Sequence, residues 1–188
     1  ERVAASDYFW VGDGGDWSDI SHWATSSGGS VKYLQVPGPL DNVYFDANSF
    51  TKSGQVVTIN ITNGACKDFN WTGVKFATIW TGANTFRVFG SFILSPQVNS
   101  TYSGDIIFES SQTGNRIQTA NKKLDNNMNF NGLNGEWVLQ DSLKTSRGVY
   151  LNNGHLNLNG QVVNCGWFHS PKNYARKLTI DNSVINCN

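Results

Sequence analysis

Apolar and polar residues alternate in short runs along most of the chain, and Gly, Asn or Asp interrupts each run. A period of two is the signature of strands that bury one side and wet the other. Helical periodicity is almost absent. The one short helix that the pattern predicts lies in "WSDISHWATS", where Ser18 or Asp19 would cap a turn or two before the loop "SSGGS".

The runs also resemble one another. Ile106-Ile107-Phe108-Glu109-Ser110 lines up with Met128-Asn129-Phe130-Asn131-Gly132, then with Leu156-Asn157-Leu158-Asn159-Gly160 and Leu178-Thr179-Ile180-Asp181-Asn182. The offsets are 22 (106 to 128), 28 (128 to 156) and 22 (156 to 178), and Phe86-Arg87-Val88-Phe89-Gly90 is a looser copy 20 residues earlier. Other strand-like pieces, "EWVLQDSL" and "RGVYL", fall between the copies. Repeats of this length holding more than one short strand predict an all-β chain folded as a parallel β-helix, or β-solenoid. An ordinary β-sandwich is the alternative.

In a solenoid each coil is too small to bury its own side chains, so like residues stack about 4.8 Å apart on successive coils. "LNLNGQVVNC" and "LTIDNSVINC" then place Asn164 over Asn186 and Cys165 over Cys187. The Asn pair reads as a corner ladder bonded amide to amide. Parallel Cβ vectors at that spacing suit two stacked, reduced thiols better than a disulfide. Cys66 stands alone, and the absence of a CxxC spacing argues against a zinc site.

Composition removes several function classes. The chain has 188 residues, with 14 Lys+Arg against 14 Asp+Glu, so no net field draws it to nucleic acid. No run of 18 apolar residues is present, so no membrane insertion through a helix is expected. The start "ERVAASDYFW" carries no apolar leader, which implies that a signal peptide has already been removed.

The N-terminal stretch differs in texture. Trp10, Trp17 and Trp23 crowd together beside Tyr8 and Phe9. An open solenoid end must be covered, so these indoles read first as a cap and second as a sugar-binding platform. Residues 1–50 are thus expected to form the Trp-rich cap and first coil, and residues 51–188 the remaining coils. The pattern W-V-G-x-G-G-x-W-S-D-x-S-H-W, followed by V-P-x-x-x-D-N-V-x-F-D-A-N-S-F, resembles the start of repeat-rich surface proteins of Bacteroidetes-type bacteria. "FNGLNGEWVLQDSL", "GHLNLNGQVVNCGWFHS" and "ARKLTIDNSVINCN" are similar to the continuation of the same module. The resemblance implies a right-handed parallel β-helix at the N-terminus of a large secreted adhesin or gliding-motility protein, exported by type 9 secretion and continuing past residue 188. It also gives Asp141-Ser142-Leu143 as an O-glycosylation pattern of exported proteins.

Candidate chemistry is sparse. Asp13, Asp16 and Asp19, three residues apart in a Gly-rich loop, would offer oxygen ligands to Ca²⁺, although turn capping is the stronger reading of Asp16 and Asp19, as turn closure is of Asp41 and Asp46. His22, His155 and His169 stand beside no nucleophile motif. Glu109 and Asp181 share a repeat position with Asn131 and Asn159 and would form a carboxylate pair if they faced one groove. Lys122, Lys123, Lys172, Arg176 and Lys177 read as solvated loop charges able to meet an acidic glycan. Trp71, Trp80, Trp137 and Trp167 are read as further exposed rings for carbohydrate, although Trp137 and Trp167 sit in strand-like runs where burial is the default. Three functions follow in order: a non-catalytic, rigid display and adhesion module at the cell surface; a carbohydrate-binding module using Trp10, Trp17, Trp23 and Trp71; and a polysaccharide lyase or hydrolase on a β-helix wall. Expected partners are a surface polysaccharide and proteins of the secretion or motility machinery.

Overall fold

The computed structural model describes residues 4–171 and 173–188, so Lys172 lies outside the described residues. The fold is all-β, with the 3₁₀ turn Ile20–His22, capped by Asp19, as its helical element. Parallel strands wind into a β-solenoid of about 7 turns.

Each coil has three faces. The first is built from Gln55–Ile59, Thr78–Gly82 and Val98–Ser100, and further on from Leu143–Thr145, Val162–Cys165 and Val184–Cys187. The second holds Gly64–Cys66, Phe86–Val88 and Ile106–Phe108, and the third Asn42–Tyr44, Phe69–Asn70, Phe92–Ile93 and Asn115–Gln118. Two long strands, Met128–Leu139 and Gly148–Asn157, bend through the corner between the second and third faces and merge them into one 13-stranded sheet. Among the described residues, antiparallel pairing is confined to the N-terminal segment, where Asp7–Trp10 takes Trp23–Ala24 on one edge and the parallel strand Asn42–Tyr44 on the other.

Parallel register turns the sequence repeat into columns. Phe86 stacks under Ile106, and Ile106 under Met128, as the sequence alignment places them. Rings stack on rings: Phe45 on Trp71 at 3.8 Å, Phe69 on Phe92 at 5.4 Å, Trp80 on Tyr102 at 4.5 Å and Phe108 on Phe130 at 4.8 Å. The third alignment step, Met128 to Leu156, is corrected. Met128 pairs with Val149, and Leu156 pairs with Trp137 and then Leu178. The cause is geometric. Every face of a three-sided coil reads inward, outward, inward, turn, so a copy at one corner looks like a copy at the next.

Asn serves the corners as expected. Asn63, Asn134, Asn159 and Asn182 adopt the left-handed region, with φ of 55°, 62°, 49° and 55°. The Asn164–Asn186 ladder exists, with Asn186 Nδ2 donating to Asn164 Oδ1 at 2.8 Å, but it lies within strands of the first face rather than at a corner. Being exposed, it contributes little. Asn186→Ala should lower stability by about 0.5–1 kcal/mol in urea unfolding, and a loss above 2 kcal/mol would contradict that assignment.

Cys165 and Cys187 pair in register as free thiols, with sulfurs 3.8 Å apart. Cys165 is buried, whereas Cys187 is exposed rather than in the core. Burial, aided by the Cys187 thiol, pushes the Cys165 thiol up to about 12, and burial pushes Cys66 and the Tyr102 phenol up as well. The unfolded chain releases thiol protons from about pH 8.5 while the folded chain holds them. Their stabilisation is therefore complete below that pH and is lost as pH rises toward 12. The melting temperature should fall steadily between pH 9 and 11, and iodoacetamide at pH 8 should label Cys187 well before Cys165 or Cys66; equal labelling of all three thiols would refute the placement.

Candidate functional site

The tryptophans nominated as a sugar platform are core residues. Trp10, Trp17, Trp23 and Trp71 are each 0% exposed. Trp23 meets Trp10 and Trp17 edge-on at 4.9 and 4.7 Å. Trp10 Nε1 donates to Asp13 O and Trp23 Nε1 to Trp17 O. No ring face is left for a ligand. Trp80 is buried too, against the expectation of exposure, and Trp137 is buried as its strand-like run suggests, because both strand positions point inward. Trp167 is half-exposed, and its indole N–H donates to the Tyr150 hydroxyl at 2.7 Å.

Two of the three aspartates expected to hold Ca²⁺ are engaged separately in local hydrogen bonds, and the third stands apart on a strand. Asp13 accepts from the backbone N–H and the hydroxyl of Thr51, bonds that hold its carboxyl below the usual range. Asp19 accepts from Ser21 N–H at 2.9 Å, and its carboxyl is lowered by Ser21 in the same way. Asp16 sits on the strand Gly15–Asp16, exposed, opposite Thr58. Among the described residues no three His, Cys, Asp or Glu side chains gather as metal ligands. His22 stacks on Trp10 at 4.4 Å and donates from Nδ1 to Val11 O at 2.6 Å, completing the indole cluster. Glu109 and Asp181 do not pair. Glu109 lies past the second face and Asp181 past the third, and Glu109 is bound to Arg87 at 2.6 Å.

Two polar clusters link coils on the outside. On the third face Glu136 Oε1 lies 3.0 Å from His155 Nδ1, and His155 Nε2 lies 2.8 Å from Thr179 Oγ1, so one chain of contacts crosses three coils. On the first face Lys123 and Lys144 stand one above the other beside Asn164, along a cleft of about 320 Å³.

A larger cleft, about 360 Å³, opens at the corner between the second and third faces. One wall is the turn containing Pro39 and Leu40. Buried Asp41 fixes this turn by accepting from Gly38 N–H and Ser6 N–H. The floor is Phe89, one residue past the strand Phe86–Val88 and anchored by its N–H to Cys66 O. Above it stands Glu109, clamped by Arg87, followed by the turn Ser110-Ser111-Gln112, in which the Ser110 hydroxyl accepts from Gln112 N–H. Lys67 lines the other side.

Apart from Glu109 and Asp41, the sequence reading does not single out these residues, although a signal is present. The fourth position of each repeat copy faces outward and is small or polar elsewhere, as in Glu109, Asn131, Asn159 and Asp181. Phe89 breaks that rule.

No family model, curated protein or solved structure matches the chain.

Proposed function

We propose that the chain is a non-catalytic extracellular module of a large bacterial cell-surface protein of adhesin or gliding type, serving as a rigid display and adhesion scaffold. The supporting observation is the parallel stack, carried from coil to coil by the 13-stranded sheet, whose coils are tied along their corners as well as through the core. Asp68 accepts from Ser91 one coil on, Asp141 from Thr119 and Asn121, and Asn126 donates to Tyr102 and Gly104. Such ties stiffen a column against bending and shear, which suits a spacer that holds a contact surface away from a cell. In the same reading the antiparallel strand Trp23–Ala24 and the three packed indoles are the lid of the column. They give the exposed edge of Asp7–Trp10 a partner and cover the first coil.

Export by type 9 secretion belongs to this proposal through the resemblance of the N-terminal motif. Adhesion is the testable part. Beads coated with the chain should be retained under flow on surfaces bearing acidic polysaccharide, well above albumin-coated beads. Equal retention of the two kinds of bead, across neutral and acidic polysaccharides, would overturn the adhesion reading.

A further inference from the structure

Leu40 is 52% exposed and lines the same cleft as Phe89, a ring that its own coil leaves half-buried at an outward position. Apolar surface kept in water at a cleft, with polar groups converging on its rim, is the pattern of a small-molecule site. The volume of about 360 Å³ falls at the small end of the range for such sites, roughly 300–1,000 Å³. A pyranose ring matches this arrangement. Its C–H face fits an aromatic floor, and its hydroxyls meet the Gln112 amide, the Ser111 hydroxyl and the Glu109 carboxylate at the rim.

Charge narrows the ligand further. Of the two charged side chains lining the cleft, Glu109 is already neutralised by Arg87 at 2.6 Å. The Lys67 ammonium has no bonded partner among the described residues, so the uncompensated charge at the rim is positive. We propose that this cleft binds an acidic sugar, a uronate unit of a polysaccharide, with Phe89 under the ring and Lys67 on the carboxylate. This assignment rests on the adhesion reading and names the group that adhesion would recognise.

Calorimetric titration of the chain with a galacturonate tetrasaccharide should show binding that is at least about tenfold weaker for its methyl-esterified form and for a neutral glucose tetrasaccharide. Phe89→Ala and Lys67→Gln should each weaken the acidic ligand about tenfold. The residual affinity for the esterified ligand should be equal in wild type and K67Q, because Lys67 then has no carboxylate to meet in either case. Leu40→Asp, at an exposed turn position, places a negative charge in the cleft and should also weaken binding, which keeps the test open if F89A loses its fold. Unchanged affinity in folded variants, equal binding of neutral sugar, or no binding of the acidic tetrasaccharide by wild type would each overturn the assignment. If coated beads still adhere while the cleft variants adhere as well as wild type, the cleft fails and the adhesion reading stands. If no coated bead adheres, the reading itself fails.

Discussion

Phe69→Ala should remove about 3–5 kcal/mol of stability, the cost of emptying a large aromatic volume from a packed core. Phe69 comes from the two-residue strand Phe69–Asn70, yet its ring is fully buried and lies within 6.3 Å of six others: Trp17, Phe45, Trp71, Trp80, Phe86 and Phe92. These rings come from all three faces and from the N-terminal segment, so a single side chain joins the indole cluster to the first coils. No neighbour can close the gap by a small shift, because each is itself wedged between rings. Stability in a solenoid is close to a sum of coil and interface contributions, so the damage should also be local. Amides of residues 7–100 should lose hydrogen-exchange protection before those of residues 128–165. Leu34→Ala, at a side chain 92% exposed, is the control and should change stability by less than about 0.5 kcal/mol. A Phe69→Ala loss under 1 kcal/mol, or a uniform loss of protection along the chain, would show that the rings do not act as one core.

The architecture was readable because stacking demands that like residues recur. The step from Ile106 to Met128 and the step from Leu156 to Leu178 carry the register directly, and Asn in the left-handed corners follows from its backbone tolerance. The step from Met128 to Leu156 misled because the alternation is the same on every face. Only long-range pairing separates one face from the next. Tryptophan exposure was misread for a related reason. Trp71 and Trp80 sit in short, polar-flanked runs where inward and outward differ by one residue, and a ring large enough to cap a sugar is also large enough to fill a narrow column. The cleft was hidden because its walls, near residues 40, 67, 89 and 111, are distant in sequence. Only the outward Phe89 marked it.

Asn126 makes the sharpest test of the corner ties. Its side chain is completely buried, and Nδ2 donates to Tyr102 O at 2.9 Å and Gly104 O at 2.7 Å in the coil before it. Its own carbonyl accepts from the Thr145 hydroxyl at 2.6 Å in the coil after it. One residue therefore spans three coils at a place where the backbone runs close: a Cβ on Gly104 would fall 1.9 Å from Asn84 O. Asn126→Leu keeps the volume but strands two buried carbonyls, each costing about 1–3 kcal/mol, so a total loss of roughly 2–5 kcal/mol is expected. Asn126→Asp separates hydrogen bonding from shape. An ionised carboxylate there would face two carbonyl oxygens in a dry corner, so burial and those dipoles must raise its pKa above the unfolded value of about 3.9. A raised acid stabilises the fold relative to its ionised form only at low pH, and that advantage disappears as pH climbs through the folded value. The destabilisation of N126D relative to wild type at the same pH should therefore be small at pH 3, where the protonated acid still donates one hydrogen bond, and large at pH 7. A penalty independent of pH would mean that water reaches the corner, and the coils would then be held by their core alone.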